Sequence, residues 1–321
     1  MLAGMPLLLR EADVDWLLPV SEAIPAVEGA FKLLGLGEAV DCPRRRAKAG
    51  GAVLNVMWAM APTLGAMGVK SYPVVRTDVT QGSSLTFVMY GLPGGKLEAI
   101  VAAGTLGQRR TGAASAVATR YLARPDSEVL TVFGAGWQAE GQVEAVVRSL
   151  PRLGHLLVVG RSEERRDRFV AKMRARFDLA VEWATPEEAV READVLVTAT
   201  GSAEPLFDGA WLKPGTHINA AGSNYAEKRE LDAETVRRAD LVVADSAGVA
   251  RLESGDLVRN EFDWSRLVEL GSVVVGEAPG RRTEDEITIF ESQGLALEDL
   301  VCAVRVLDKA REAGLGIELP A

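Results

Sequence analysis

Gly134, Gly136 and Ala139 stand in the order G-x-G-x-x-A inside the stretch VLTVFGAGWQAEG. A β-branched, apolar run precedes them and a helix-like segment follows. In that setting the first glycine makes a tight turn and the second lets backbone approach a pyrophosphate. The small third residue lets helix and strand pack closely. Trp137 and Gln138 fill the intervening positions and open the helix, whose free N–H groups and partial positive charge suit a phosphate. The stretch therefore predicts a dinucleotide site. A ligand-free strand-to-helix turn is the competing reading. The second strand-like run that follows, HLLVVG, favours the dinucleotide.

The end of that second strand discriminates between cofactors. A site for NAD places an Asp or Glu there to accept from the ribose hydroxyls. This chain has Gly160, Arg161 and Ser162, with Arg165 and Arg166 a turn later. A carboxylate would repel a 2′-phosphate, whereas a guanidinium and a hydroxyl bind one through charge-assisted hydrogen bonds. The reading favours NADP(H), with NAD(H) second. Arg165 and Arg166 also fit a solvated helix face; Arg161 is the sharper candidate. Thr200 and Gly201 end the run DVLVTAT, where a ribose commonly lies in such folds, although a plain strand end fits them equally.

Elements must position these residues. From about Gln108, strand-like and helix-like runs alternate as far as LVVAD, which argues for βαβ units around a parallel sheet. The first third reads differently. A helix is expected over Glu22–Val40 with Ser21 as its N-cap. The runs GAVLNVMWAM, GVKSYPVV, SSLTFVMYG and LEAIVAA follow, the last two joined by the hairpin turn GLPGGK. The tail LALEDLVCAVRVLDKAREAG reads as one long amphipathic helix. The 321 residues suggest two domains, and 48% hydrophobic with 25% charged residues indicates a globular chain with a sizeable core. A net charge of −9 and a pI near 5.0 argue against nucleic-acid or anionic-membrane partners. Cys42 and Cys302 are too few for a disulfide framework, so a reducing cytoplasm is expected and both read as buried side chains. The apolar N-terminal run lacks a basic segment before it and reads as a strand, not a signal peptide. His155 and His217 have no partner at ligand spacing, so no metal site is expected.

Three further stretches narrow the class: GVKSYPVV with Lys70, LGQRRTGAASAVATRYLARPD, and HINAAGSNYAEKRELD. Together with FGAGWQAEGQ and DEITIFESQGLALEDL, they make the chain resemble the ornithine cyclodeaminase/mu-crystallin family over nearly its whole length. The resemblance implies an α/β protein. A Rossmann dinucleotide-binding domain, 115–296, would be inserted in a mixed α/β substrate-binding and dimerisation domain made of 1–114 and 297–321. It implies a homodimer acting on a small α-imino or α-amino acid, with the C-terminal helix packed back on the first domain. Lys70 matches the catalytic lysine, although a strand lysine taken alone is usually at an edge facing water. An arginine fork binds a carboxylate bidentately. The family's first such arginine falls in CPRRRAKAGG, where the register favours Arg46, then Arg44, with Arg45 between them; the second matches Arg110. Arg109 beside it reads as a surface charge. A lysine near two arginines should have a depressed pKa suited to proton transfer. Thr111 fits a cofactor phosphate contact or a helix cap equally. Ser292 and Gly294 match a segment that closes over the nicotinamide.

The chain departs from the cyclodeaminase pattern at one position. Cyclodeaminases carry an aspartate after the glycine of the INAAGSN loop, and this chain has Asn224 there. An amide orients a substrate nitrogen or a water but takes up no proton at neutral pH. The resemblance therefore implies hydride transfer at the α-carbon, above all reduction of a cyclic ketimine such as Δ1-pyrroline-2-carboxylate or Δ1-piperideine-2-carboxylate. Alternatives are a cyclodeaminase or an alanine or other amino-acid dehydrogenase of the family, or a cofactor-bound binding protein with little turnover.

Overall fold

The computed structural model describes residues 5–75 and 84–320. The expected first residue of the run SSLTFVMYG, Ser83, lies outside the described residues. In chain order the elements begin β1 (Leu7–Leu9), α1 (Glu11–Leu17), α2 (Val20–Gly35), β2 (Val40–Ala49), β3 (Ala52–Ala61), β4 (Ala66–Val75), β5 (Thr86–Gly91) and β6 (Leu97–Ala102). Helix α3 (Gly104–Leu122) leads to β7 (Val129–Phe133), α4 (Trp137–Ser149), β8 (His155–Val159), α5 (Glu163–Arg176), β9 (Ala180–Trp183), α6 (Pro186–Glu192) and β10 (Val195–Thr198). Then come β11 (His217–Ala220), α7 (Ala233–Arg238), β12 (Leu241–Ala244), α8 (Ala247–Glu253), α9 (Gly255–Val258), β13 (Leu267–Glu269), α10 (Leu270–Val274) and β14 (Thr288–Glu291). The chain closes with α11 (Ala296–Ala313) and β15 (Ile317–Glu318).

Two compact units result: Met1–Arg110 with Leu295–Ala321, and Thr111–Gly294. The division runs through α3 and falls just before α11, rather than at residues 114 and 297. In the first unit, seven strands lie in the order β15-β1-β6-β5-β4-β3-β2. Among the described residues, only β1 and β6 pair in parallel there. Helix α11 packs on one face of this sheet, against β2 to β5, and on α2. Alternation puts Asn55, Met57 and Ala59 on the covered face and Leu54, Trp58 and Met60 on the other, where each is more than a third exposed. The expected α2 is shorter than the pattern suggested. It starts at Val20 after Pro19, so Ser21 sits inside the first turn, and it ends near Gly37, which has φ +67°. CPRRRAKAGG is strand β2, closed into a hairpin by Gly50 and Gly51 at φ +54° and +78°. Its charges sit on an edge strand, which discourages further pairing.

Helix α3 begins at Gly104, ahead of the Ala-rich run RRTGAASAVATRYLA, because Glu11 caps it from α1. The Glu11 carboxylate accepts from the amides of Gly104 and Thr105 at 2.7 and 2.8 Å. Arg109 is no loose surface charge. It donates to the carbonyls of Asp15 and Leu18 at 2.6 and 2.7 Å and so satisfies the last turn of α1.

The second unit is an eight-stranded parallel sheet ordered β13-β12-β14-β11-β10-β7-β8-β9. Its central strands β10, β11, β12 and β14 are buried on both faces, whereas the edge strands β9 and β13 are partly exposed. The chain leaves β7 towards β8 and β9 on one side and later adds β10 on the other. That reversal opens a crevice at the carboxyl ends of β7 and β10. Among the described residues, no helix is long and apolar enough to cross a membrane.

Candidate active site

In the first unit the chemistry gathers beneath α11. Lys70 lies mid-strand in β4, between Met57 of β3 and Phe87 of β5. It is two strands in from the β2 edge and only 2% exposed, not at an edge facing water. Its ammonium bonds Asp299 Oδ1, in the first turn of α11, at 2.8 Å. The same oxygen lies 3.4 Å from Arg110 Nε, and Arg110 Nη1 donates to Glu298 Oε2 at 2.7 Å. Two nitrogens of the Arg110 fork thus face protein carboxylates, which leaves less of it for a bidentate ligand grip than the sequence suggested. Helix α3 passes close to the lysine at Gly107, where an added Cβ would stand 3.4 Å from Nζ.

Of the arginine triplet, Arg44 is the buried member, and its charge acts on Lys70. Arg46 is half-buried opposite Asn55, which pairs in turn with Tyr72, while Arg45 faces the exposed side of β2. Burial pushes the Lys70 pKa down to about 8, with Arg110 and Arg44 adding to the fall and Asp299 resisting it. Burial also opposes the charge on Arg110, but Asp299 and Glu298 outweigh it and hold the guanidinium protonated. Asp41 on β2 accepts from Leu297 N at 2.8 Å and caps α11. Burial, with Glu298 and Asp299 nearby, lifts its pKa to about 7. Cys302 is buried and its thiol is held protonated, chiefly by burial; Cys42 is half-buried.

In the second unit, the sheet crevice is a cleft of about 780 Å³. Eight of the nucleotide candidates line it: Gly134, Gly136, Gly160, Arg161, Ser162, Arg165, Thr200 and Gly201. Gly134 has φ +116°, and a Cβ there would meet the Ala199 carbonyl at 2.5 Å. Gly136 is the N-cap of α4, and a Cβ there would meet nothing within 4 Å, so its backbone faces open space at a helix N-terminus. Ala139 is fully buried and serves the close helix–strand packing. Trp137 opens α4 and is exposed; like Gln138 it does not line this cleft. Thr111 lies buried in α3, and its carbonyl accepts weakly from Gln142 at 3.4 Å.

Among the described residues, no Asp or Glu lines the cleft. Arg161 and Arg165 are exposed at its rim, and Ser162 caps α5 by accepting from Arg165 N. Arg166 lies 4.5 Å from the ring centre of Trp183, at the end of β9. The residues fit a dinucleotide: a glycine turn, an open helix start and arginines at the rim.

Thr200 N donates to Glu230 Oε1 at 2.8 Å. The other Glu230 oxygen lies against Gly222, where a Cβ would meet it at 2.0 Å. This buried acid, raised to about 7 chiefly by desolvation, ties the end of β10 to the loop that carries Asn224. Asn224 is half-buried there. Ser292 and Gly294 do not line the cleft; both are buried or backbone-bound, with the Gly294 and Gln293 amides donating to Asp245 at 2.6 and 2.7 Å. His217 is buried against Thr288 and its pKa falls to about 3, mainly through burial, so it is neutral. Among the described residues, no group of His, Cys, Asp and Glu could hold a metal ion.

The sequence reading missed Asp299, Glu298, Asp41 and Glu230. The only local signal was the acidic pair in LALEDL, which reads as an ordinary helix start.

The family model of the ornithine cyclodeaminase/mu-crystallin family matches residues 5–314. The chain belongs to this family. A family relative, Delta(1)-pyrroline-2-carboxylate reductase of Bacillus cereus, is 35% identical over 272 residues, covering 81% of this chain and 82% of the relative. The structure of Thermococcus litoralis Delta(1)-pyrroline-2-carboxylate reductase in complex with NADH and L-proline superposes with a TM-score of 0.93 at 31% identity, covering 98% of this chain and 100% of that one. An archaeal alanine dehydrogenase dimer with bound NAD gives a TM-score of 0.93 at 30% identity, with 99% of each chain covered.

Proposed function

We propose that the protein is an NADP(H)-dependent reductase of a cyclic ketimine, Δ1-pyrroline-2-carboxylate or Δ1-piperideine-2-carboxylate, forming the cyclic amino acid. The observation that carries this reading is a buried lysine with a pKa near neutrality, set among arginines in a family member that lacks the cyclodeaminase acid. The names of the Bacillus and Thermococcus relatives support the substrate class. When bound, the reduced nicotinamide supplies a hydride for the imine carbon. The chain's own side chains supply the rest. Arg44 and Arg110 offer cations for the substrate carboxylate, with Arg46 as the alternative. The Lys70 ammonium gives a proton to the imine nitrogen and takes one back from water. Asn224 is assigned to orienting the ring nitrogen or a water, since it cannot act as the base that ammonia loss needs.

The preference for NADP(H) over NAD(H) rests on the acid-free cleft with Arg161, Ser162 and Arg165 at its rim. Gly134, Gly136, Thr200 and Gly201 are assigned to the pyrophosphate and ribose. Thr111, Trp137, Gln138, Ser292 and Gly294 remain proposed cofactor contacts on the family pattern. A homodimer is proposed because Leu54, Trp58 and Met60 form an exposed apolar strip on one sheet face, and the archaeal relative is a dimer.

The test offers the purified protein NADPH with each cyclic imine, then NADPH with pyruvate and ammonia, then ornithine with NAD. Rapid oxidation of NADPH with a cyclic imine is expected, with little turnover of the other pairs. Turnover confined to ornithine, or to pyruvate with ammonia, would overturn the assignment.

A further inference from the structure

We infer that Asp299 is a positioning residue for this reaction, which holds the Lys70 ammonium in place and keeps it protonated by taking Lys70 and Arg110 on one carboxylate oxygen. The inference rests on the reading of Lys70 as the proton donor. It goes beyond that reading by naming what sets the charge of Lys70.

The geometry carries it. Lys70 is 2% exposed and the Asp299 side chain 0%, and their charged atoms are 2.8 Å apart. Every element packed around the ammonium brings a group to weigh. From β2 come Arg44 and, beside the start of α11, Asp41. From α3 comes Arg110. From β4 itself comes Tyr72, whose ring centre is 5.9 Å from Nζ. From α11 come Asp299, Glu298 and the protonated thiol of Cys302. Burial and two guanidiniums favour a neutral amine. Of the carboxylates, Asp299 is the one bonded to Lys70, whereas Glu298 accepts from Arg110. Asp299 is thus the group that opposes deprotonation.

The consequence is directional. A protonated Lys70 serves imine reduction; a neutral one serves oxidation of the cyclic amino acid, because it can accept the proton from nitrogen. Asp299 therefore sets the pH at which the site passes from one task to the other.

Two measurements test this. The first is the pH dependence of kcat/KM in both directions for wild type, Asp299→Asn and Glu298→Gln. Asp299→Asn is expected to move the alkaline limb of reduction, and the acid limb of oxidation, down by at least about one pH unit, a tenfold change in the protonated fraction. Glu298→Gln is expected to raise KM while leaving both limbs in place. Unmoved limbs in Asp299→Asn, or equal movement in Glu298→Gln, would overturn the inference. The second needs no substrate: titration of Lys70 by NMR of 13Cε-labelled lysine, assigned with Lys70→Met. Lys70 is expected to titrate near pH 8 in wild type and lower in Asp299→Asn. A wild-type Lys70 already neutral at pH 7 would contradict it even if Asp299→Asn does not fold. Absence of imine turnover with a Lys70 titration that still responds to Asp299 would sink the substrate reading alone.

Discussion

Arg161 follows Gly160 at the end of β8, the position where a nucleotide fold distinguishes its two cofactors. A guanidinium there favours a 2′-phosphate and disfavours nothing on NADH, so charge reversal should act mostly on NADPH. Arg161→Glu is expected to raise the NADPH KM by tenfold or more, on the order of 1.4 kcal/mol, and to leave the NADH KM within a small factor. Steady-state kinetics with both cofactors check this; an unchanged ratio would mean the 2′-phosphate lies elsewhere. Side chains of this kind were legible because a missing carboxylate at a fixed offset from a glycine turn is a local signal. Lys70 was legible only through its family motif. Nothing in GVKSYPVV says that its strand lies inside the sheet, or that an acid 229 residues later is its partner.

The helices that carry the candidate site are capped from a distance. Helix α3 has its first amides held by Glu11, and α11 has Leu297 N held by Asp41. Neither start has a local Ser, Thr or Asp cap to mark it in the sequence. The repeating apolar pattern, by contrast, revealed α4, α5 and α11 and the strands of the parallel sheet other than the short edge strand β13. The charged strand β2 escaped notice because edge strands need no alternation. Asp41 is the more testable cap, since the turn it fixes carries Glu298 and Asp299. Asp41→Ala is expected to cost about 1 kcal/mol, within the usual range for a lost N-cap, and to lower imine-reducing kcat/KM by misplacing that turn. Asp41→Asn keeps an oxygen acceptor and should retain most of both. Denaturant midpoints and kinetics on the two variants check this; equal losses would mean that the charge matters rather than the cap.

Five buried acids give the folded chain an unusual proton balance. Burial raises Asp41 and Glu230 to about 7 and Asp256 to about 6, lifts Glu291 well above its ordinary value and shifts Glu298 upward. Between ordinary carboxylate values and about pH 7 these acids therefore make the folded chain bind more protons than the unfolded one, against the one proton that buried His217 refuses below its ordinary 6.5. Stability must fall as pH rises through that window. Asp194, Glu22 and Glu286 work the other way: their lowered values stabilise the fold above the ordinary range, and that contribution is lost only as pH falls further. The melting temperature is expected to be higher at pH 5.5 than at pH 8 by several degrees, and Glu291→Gln should narrow the gap. Calorimetry across that range decides it; a melting temperature that climbs from pH 5.5 to pH 8 would contradict the burial assigned to these acids. This balance was invisible in the sequence, where a net charge of −9 suggests only a solvated acidic surface. The parallel sheet was legible because period and connection length are written along the chain. Which acids turn inward depends on contacts that only the folded chain makes.

The central claim is that Lys70 delivers a proton during reduction of a cyclic imine. The most direct measurement compares wild type with Lys70→Met for NADPH binding by fluorescence titration and for imine-dependent NADPH oxidation at pH 7. Cofactor affinity is expected to stay within about threefold while turnover falls by at least about a hundredfold, the lower range for loss of a general acid. Turnover close to wild type in a folded, NADPH-binding Lys70→Met protein would contradict it.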